Sequence, residues 1–512
     1  MRLSPPAGAI GLVLLVSSVA AARAAGPECS PLTYGAVGDG ITDNTAAIQS
    51  AIDTCEATYG GGVVRLNVEN GNGRYVTGPI RLANHIRLQL DKGVTLLGTT
   101  DHGKYHSASL NRPFQAGEAL VSAYQAVDTG IIGPGSIDGQ GGMPARDGGP
   151  SWWTLPPTPG ATGDGTTRHA APDADGPDSD GMSRPWLVEF YQCTGVTVND
   201  VSFTNAPMWN LVLRYSQYIT VSELSVTVTA DSPVAQTDGI DVVGSSDATL
   251  IFLNIASGGD SVALKSGLPM PSQGGGDPNE VGLPQHPPHD IKEVGLPQQP
   301  THDIQIVNSR FSNGHGIVVG GEAANGVYNV IAKNITATGT THGLQIKADR
   351  SAGNQATGDY NIWVQDATLT DVRQPLAIGV DDRFGDGGVE PRFDPPRPVT
   401  PTTPNIHDVT IQGMTATGAT QSGFIAGLPE ACVRNVVLDN VRIEGSNAGI
   451  QLRNMTGTFT NVRSGPPSGH SAFVVQENVT VATGGTTPAI TNTSPATATT
   501  PPAQPCRGHP QN

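Results

Sequence analysis

The chain has 512 residues and is acidic, with 28 basic against 45 acidic residues and a formal net charge of −17. This charge makes nucleic acid an unfavourable partner, because the two molecules would repel each other. Glycine and proline are abundant, at 65 and 41 residues, while charged residues are only 14% of the chain and long helical periodicity is absent. Such a composition is typical of an all-β solenoid, which needs many turns.

Residues 1–24 have the pattern of a secretory signal. Arg2 provides a positive start, Ile10 to Val19 forms an apolar centre, and Ala22-Arg23-Ala24 fits a cleavage site with small residues. The apolar run is short for a membrane span, although an uncleaved anchor is the alternative reading. We therefore expect a secreted or periplasmic protein that has no membrane attachment after cleavage.

All five cysteines follow the predicted cleavage site, and an exported protein can form disulfides. Cys29 and Cys55 flank the first predicted unit and form the first predicted pair. Cys432 with Cys506 is the second predicted pair, which leaves Cys193 unpaired. None of the spacings is that of a zinc site.

One helix is predicted, close to the N-terminus. Thr42 or Asp43 can cap a helix that runs through the apolar positions of residues 46–52. A terminal helix of this kind would cover the open end of a solenoid. Short strands between turn residues follow it, and they are predicted at 62–66, 75–80, 85–90 and 94–98.

Apolar strand centres continue along the chain at uninterrupted spacings of about 22–32 residues, which is typical of one solenoid coil per unit. These centres are Leu211, Ile240, Val262, Ile317, Leu344, Leu376, Phe424 and Ile450. An α/β barrel would need a helix after each strand, and the segments between these strands lack a helical pattern.

Long polar segments interrupt the series and are predicted to be loops on the scaffold. They lie near 140–185, 267–300 and 381–404. The solenoid domain is predicted to span residues 25–479. A Thr-, Pro- and Ala-rich tail at 480–512 is predicted to be disordered.

Four of these segments carry a titratable residue two places before the apolar centre. These residues are Asp238, Asp260, His315 and His342. Two of the segments also carry a lysine three places after the centre, Lys265 and Lys347. If each segment is one rung of a parallel sheet, residues at equal positions stack about 4.8 Å apart on one face. The alternative is that Asp-Gly and His-Gly are turns that precede short strands.

Several motifs between residues 30 and 465 resemble those of glycoside hydrolase family 28, the polygalacturonases, and particularly their bacterial exo-acting branch. The first-half motifs, at 34–40, 42–45, 90–93 and 137–141, are shared with other pectin-processing β-helix proteins. The second-half motifs are more specific. They are Thr237-Asp238-Gly239-Ile240-Asp241, Gly314-His315-Gly316 and Gly343-Leu344-Gln345-Ile346-Lys347.

This resemblance implies an all-β fold, a right-handed parallel β-helix of the single-stranded pectin-lyase-like kind, with a short N-terminal capping helix. It also implies hydrolysis of α-1,4-linked galacturonic acid with inversion, without a metal or another cofactor. The expected partners are pectin and oligogalacturonides, and we expect a monomer.

Site roles follow from the same resemblance. Asp238 and Asp260 would jointly activate water, and His315 would tune these carboxylates and contact the sugar. Lys347 would bind a galacturonate carboxylate as a charge-assisted donor. Further predicted substrate contacts are Gln345, Gln236, His342 and Lys265. Tryptophans 152, 153 and 209 could stack on sugar faces, although packing is the commoner use of tryptophan in a β-solenoid.

The chain departs from the family pattern at several positions. Gly259 stands where the family has the first of two aspartates, which is usually assigned as the general acid. Gln345 stands where the family has an arginine, so a bidentate carboxylate fork is lost. Gln236 replaces an asparagine, and residues 382–384 stand where a tyrosine is expected.

Loss of general-acid catalysis costs about 10²–10⁴-fold in rate, and three interpretations stay open. The enzyme is slow, another acid supplies the proton, or the chain binds pectin fragments without cleaving them. The candidates for another acid are His315, Asp241, Asp277 and Asp290.

A pectate-lyase-like eliminase is a further alternative. It would need a calcium-binding acid cluster and an arginine base, which the sequence does not display.

Overall fold

The computed structural model describes most of the chain that follows the predicted signal. The described residues are 26–69, 71–105, 118–155, 184–229, 236–267, 299–348, 350, 358–380, 395–465, 473–488, 490 and 506. The predicted signal, most of the three predicted loops and most of the predicted tail lie outside them, as do Asp277, Asp290 and residues 382–384.

Within these ranges one α-helix, α1, spans Thr45–Tyr59. Its N-cap is Asn44 and not the predicted Thr42 or Asp43. Asp43 still accepts the Thr45 N–H at 3.0 Å, while the Asn44 side chain accepts the Val37 N–H at 2.7 Å. The buried face of α1 closes the N-terminal end of the core, as predicted. Short 3₁₀ turns lie at Pro31–Tyr34, His102–Lys104 and Trp152–Thr154.

The strands are short in the first half of the chain and longer in the second half. In chain order they are β1 Glu28–Cys29, β2 Gly38–Asp43, β3 Gly62–Leu66, β4 Gly71–Thr77, β5 Ile80–Leu82, β6 Ile86–Leu90, β7 Thr95–Gly98, β8 Val121–Tyr124, β9 Val127–Ile132, β10 Ser136–Asp138, β11 Val188–Tyr191, β12 Thr194–Asn199, β13 Ser202–Thr204, β14 Leu211–Arg214, β15 Gln217–Ser222, β16 Ser225–Thr227, β17 Ile240–Val243, β18 Ser246–Ile251, β19 Asn254–Ala256, β20 Asp260–Lys265, β21 Thr301–Ser312, β22 His315–Gly320, β23 Val327–Thr338, β24 His342–Ala348, β25 Asp359–Thr370, β26 Gln374–Val380, β27 Ile406–Thr417, β28 Phe424–Ala426, β29 Val433–Ile443, β30 Ile450–Arg453, β31 Met455–Thr460, β32 Phe473–Val475 and β33 Val479–Gly484.

These strands form two sheets in which each strand pairs in parallel with strands of the neighbouring coils. One sheet has 12 strands, and the other has 21 strands that make up the remaining walls. Apolar side chains from all walls meet in one continuous core. The predicted right-handed parallel β-helix is confirmed. The 12-stranded sheet, here called the site sheet, consists of β5, β8, β11, β14, β17, β20, β22, β24, β26, β28, β30 and β32.

The predicted register of the site sheet is confirmed at its centre. Ile240 pairs with Val262, Val262 with Ile317, and Ile317 with Leu344. Each of these side chains is buried in the core. Equal phases of the sequence therefore do lie above one another on this sheet.

The strand centre predicted near Phe424 differs from the structure by one residue. Phe424 pairs with Ala377, while Ile425 is the residue that joins the core. The preceding residue, Gly423, approaches the Leu376 carbonyl so closely that a Cβ would lie 1.9 Å from that oxygen. Only glycine fits at position 423. The side chain of this strand that enters the core is therefore that of Ile425, two residues later.

Both predicted disulfides are present, Cys29–Cys55 and Cys432–Cys506, and Cys193 is a buried free thiol. The last strand, β33, crosses the predicted domain boundary at residue 480, because its backbone pairs with β31. None of the helices described is long and apolar enough to cross a membrane.

The packed interior predicts a large difference between two truncations in β9. Ile131→Ala should lower the free energy of unfolding by about 2–5 kcal/mol, because it opens a cavity in a fully buried position. Val127→Ala, at a position that is 43% exposed, should change it by less than about 0.5 kcal/mol. Denaturant unfolding of the two variants would check this, and equal losses would contradict the packing described.

Candidate functional site

The predicted column of acids and imidazoles exists at the leading edge of the site sheet. Asp260, His315 and His342 are the first residues of β20, β22 and β24, and Asp238 lies two residues before β17. Asp260 pairs directly with His315. The Gly239 N–H donates to the Asp260 carbonyl at 2.8 Å, which places Asp238 one rung before Asp260.

Asp260 has a cationic or imidazole partner for each carboxylate oxygen. His315 Nδ1 lies 2.6 Å from Oδ1, and Lys347 Nζ lies 4.0 Å from Oδ2. Burial alone would raise the pKa of Asp260, but the charge of Lys347 and the His315 hydrogen bond hold that pKa well below its usual range. His315 and Lys347 therefore favour the ionised form of the Asp260 carboxyl.

Asp238 is in the opposite situation. It is 6% exposed, and its Oδ1 accepts the backbone N–H of Asp260 at 2.9 Å. Burial raises the pKa of Asp238 well above its usual value, the charges of Asp241 and Asp260 raise it further, and Lys265 opposes them. The environments of these two carboxyls thus shift their pKa values in opposite directions, although they lie on adjacent rungs.

Lys265 is the buried cation of the site, and the structure does not place it where substrate would meet it. It is 5% exposed, its Nζ lies 3.0 Å from Asp241 Oδ1, and the Trp209 ring centroid lies 4.0 Å from the same nitrogen. Asp238 Oδ2 and Glu322 Oε2 lie further away, at 3.9 and 3.8 Å. The predicted substrate contact is therefore a positioning group for carboxylates.

Several buried carboxyls share the single ammonium of Lys265, and the pKa values of both Lys265 and Asp241 are raised. Burial lowers the pKa of Lys265, but the surrounding carboxylates outweigh burial and raise it. Burial of Asp241, which is fully enclosed, raises its pKa to about 7 in spite of Lys265. Lys265 thus stays charged, while the carboxyls compete for its single charge.

His342 is enclosed and neutral. Burial lowers its pKa to about 3, and the nearby charges of His315 and Lys347 act in the same direction. Its Nε2 donates to Gln374 Oε1 at 3.1 Å, because a carbonyl oxygen can only accept. Its Nδ1 is buried and has no hydrogen-bond partner among the described residues.

The more open groups of the site are His315 and Lys347, whose side chains are 32% and 21% exposed. Gln345, two residues before Lys347 on β24, is buried, and its Oε1 has no partner within the described part of the chain. Gln236 is half-buried and precedes Thr237, whose hydroxyl accepts the Gly258 N–H at 2.9 Å.

Gly259 leaves a notch that the neighbouring acid fills. A Cβ at this position would lie 1.7 Å from Asp238 Oδ1 and 3.0 Å from its Cγ. The Asp238 carboxyl therefore occupies the space that a side chain at 259 would need.

The tryptophans singled out by the sequence serve packing. Trp209 is buried and stacks on Trp186, with ring centroids 5.2 Å apart. Trp152 stacks on His102 at 3.6 Å, and Trp153 Nε1 donates to the Ala206 carbonyl at 3.0 Å.

Sequence reasoning missed two groups of the site, Gln374 and Glu322. Gln374 pairs with His342 and stands two residues before Leu376, so the phase that revealed the column could have found it. Glu322 lies in the turn after β22, beyond the strand phase, and no periodic signal points to it.

Comparison with known proteins agrees with this architecture. The family model described as Glycosyl hydrolases family 28 matches residues 62–465. An endo-polygalacturonase from Pectobacterium parmentieri is 27% identical over 339 residues, 65% of this chain and 71% of the relative.

Two solved structures share the fold at low sequence identity. The family 28 exopolygalacturonase of Yersinia enterocolitica has a TM-score of 0.65 at 18% identity, and the alignment covers 91% of this chain and 79% of that one. The hyperthermoactive exopolygalacturonase of Thermotoga maritima has a TM-score of 0.60 at 21% identity, with coverages of 89% and 92%. Because the family model matches well over half of the residues, this chain belongs to glycosyl hydrolase family 28.

Proposed function

We propose that this chain hydrolyses the α-1,4 bonds between galacturonosyl units of polygalacturonate and pectin, with inversion at the anomeric carbon. The observation that carries the proposal is the Asp260 carboxylate, held ionised between His315 at 2.6 Å and Lys347 at 4.0 Å. His315 and Lys347 are the more open groups of the site, so we propose that a water and an acidic sugar approach the Asp260 carboxylate from their side.

The carboxylate supplies the base that hydrolysis needs. Inverting glycosidases use one carboxylate to take a proton from water and one carboxylic acid to protonate the leaving oxygen. Asp260 is the ionised member, and His315 holds its Oδ1 so that Oδ2 faces the water and Lys347. Inversion itself is inferred from the motif resemblance.

A polyanionic substrate needs local positive charge, because the chain as a whole carries −17. Lys347 is a cation of the site that solvent reaches, and an ammonium is a charge-assisted donor for a galacturonate carboxylate. Gln345 on the same strand can add a neutral amide donor. We assign Lys347 as the main substrate contact, with Gln345, Gln236 and His342 as secondary ones.

The names of the relatives support the substrate class. The matched proteins include endo-polygalacturonases from two Pectobacterium species and an exo-poly-alpha-D-galacturonosidase from Dickeya chrysanthemi. Two disulfides favour an oxidising compartment, so we propose that the protein acts outside the cytoplasm, as a monomer.

We propose exo action, following the motif resemblance, with buried side chains filling the N-terminal side of the site. On β11 and β14, Glu189 and Arg214 form a fully buried ion pair at 3.1 Å. The stacked pair Trp186 and Trp209 lies between this ion pair and Lys265, because Arg214 lies over the Trp186 ring and Lys265 over the Trp209 ring. We propose that the galacturonan chain leaves the site in one direction, toward Lys347.

A pectin-binding protein without catalysis is the second candidate, and Gly259 favours it because glycine cannot donate a proton. The two functions differ in one observable. A hydrolase releases new reducing ends, whereas a binding protein retains oligogalacturonides without shortening them.

Polygalacturonate incubated with the mature protein at about pH 5–6 should gain reducing ends, because a raised-pKa acid is still protonated there. Asp260→Asn should lower the rate by at least about 10²-fold through loss of the base, and Lys347→Met should raise KM more than it lowers kcat. Matched controls on β25 and β23 of the 21-stranded sheet, Asp366→Asn and Lys333→Met, should leave both constants unchanged. Binding without new reducing ends would favour the second candidate.

Product analysis should distinguish exo from endo action. A one-sided site predicts that short products appear from the start and that viscosity falls slowly for each bond cleaved. Chromatography of early digests of polygalacturonate and viscometry would measure this. An early spread of intermediate product lengths with a rapid loss of viscosity would contradict exo action.

The stereochemistry of hydrolysis is a separate test. Proton NMR of the first product should show the β anomer if the α-linked substrate is hydrolysed with inversion.

A further inference from the structure

The absence of a carboxyl at position 259 raises the question of which group protonates the leaving oxygen. We propose that Asp238 is the proton donor of the reaction and that Asp260 is the base, an assignment that rests on the proposed hydrolysis. Asp238 thereby takes the acid's role instead of sharing the water with Asp260.

The notch at Gly259 is the first observation that supports this assignment. A Cβ at 259 would lie 1.7 Å from Asp238 Oδ1, so the Asp238 carboxyl stands where any side chain at 259 would begin. The Asp260 N–H donates to the same Oδ1 at 2.9 Å and fixes the carboxyl there. Asp238 Oδ2 is left as the oxygen that can carry and transfer the proton.

Charge balance is the second observation. Asp260 has the His315 imidazole at 2.6 Å and Lys347 at 4.0 Å, whereas Asp238 has a single cation within 4.0 Å among the described residues, Lys265 at 3.9 Å. Lys265 is closer to Asp241, at 3.0 Å, and also serves Glu322, at 3.8 Å. One buried ammonium cannot neutralise three carboxylates, so a proton must reside in this group.

The titration behaviour of the two aspartates agrees with the geometry. Burial and the charges of Asp241 and Asp260 raise the pKa of Asp238 against the effect of Lys265, while Lys347 and His315 hold the pKa of Asp260 low against the effect of burial. Two carboxyls whose environments push their pKa values apart are the signature of an acid and a base.

The proposed step balances. Asp238 Oδ2–H gives its proton to the glycosidic oxygen as the C1–O bond breaks. Water forms the new bond to C1 as its proton passes to Asp260 Oδ2, and solvent then returns a proton from Asp260 to Asp238. Adjacent rungs are only about 4.8 Å apart, which is shorter than the roughly 6.5–9.5 Å between the acid and the base of most inverting glycosidases. The water must therefore enter on the Lys347 side of Asp260, away from Asp238.

A comparison of two substrates tests the assignment. Polygalacturonate needs protonation of its leaving oxygen, whereas a nitrophenyl galacturonide releases a stable phenolate without it. Asp238→Asn should lose about 10²–10⁴-fold on polygalacturonate and less than about tenfold on the nitrophenyl substrate. Asp260→Asn should lose at least about 10²-fold on both. Equal losses by Asp238→Asn on the two substrates would overturn the proposal.

The pH profile gives an independent readout. Wild-type activity should fall as pH rises through the pKa of the acid, because the donor is then deprotonated. The residual activity of Asp238→Asn on polygalacturonate should lack this fall. Its persistence there would overturn the assignment. A wild type that is silent on polygalacturonate would instead count against the proposed hydrolysis.

Position 259 offers a further test if Asp238→Asn fails to fold. Gly259→Ala and Gly259→Asp should both lower activity on polygalacturonate at least about tenfold, because either side chain displaces the Asp238 carboxyl. Gly484→Ala, where a Cβ meets only ordinary contacts at 3.6 Å or more, is the matched control and should change nothing. A gain of activity in Gly259→Asp would show that the donor was absent and would sink the proposal.

Discussion

The in-register parallel pairing of the site sheet is the constraint on which the rest of the structure depends. Each rung repeats the phase of the one before, from Leu211 through Ile240 and Val262 to Ile317 and Leu344. Backbone hydrogen bonds keep successive rungs about 4.8 Å apart. Side chains of equal phase must therefore form columns, whether they are apolar and inside or titratable and at the strand ends.

Burying a column of titratable groups is unfavourable in free energy, and in this site neighbouring charges and shifted pKa values offset that penalty. Asp260 is stabilised as a carboxylate by His315 and Lys347, whereas Asp238 and Asp241 share Lys265 and are pushed toward protonation. Adjacent rungs of the same sheet thus shift the pKa values of two carboxyls in opposite directions. Chemistry that needs both an acid and a base can use this difference without any further residue.

The role assigned to Gly259 differs between the sequence and the structure. By sequence it is a missing acid, which argues for a weak enzyme or a binding protein. In the structure it is the space into which the Asp238 carboxyl fits. The departure from the family motif and the position of the neighbouring acid are therefore one arrangement, and a side chain at 259 is incompatible with Asp238 as it stands.

The sequence by itself determined the fold and the location of the site. Turn residues and apolar centres at coil-length spacing predict a β-solenoid, and the resemblance of its motifs implies the β-helix. Equal phases at Asp238, Asp260, His315 and His342 predict the column, because strand periodicity is local and repeats at every rung. The cysteine positions relative to the first unit were also sufficient for the pair Cys29–Cys55.

Only the tertiary structure decided which of these groups are charged and which can meet a substrate. Lys265 has the phase of a substrate contact, yet it is covered by Trp209 and surrounded by carboxyls. Glu322 enters the site from a turn, where no periodicity applies. The one-residue shift at Phe424 and the notch at Gly259 both arise where a glycine touches a neighbouring rung. A Cβ added at Gly423 or Gly259 would lie less than 2 Å from an atom of that rung. Burial, charge sharing and close contact are properties of groups brought together by folding, and the linear pattern does not contain them.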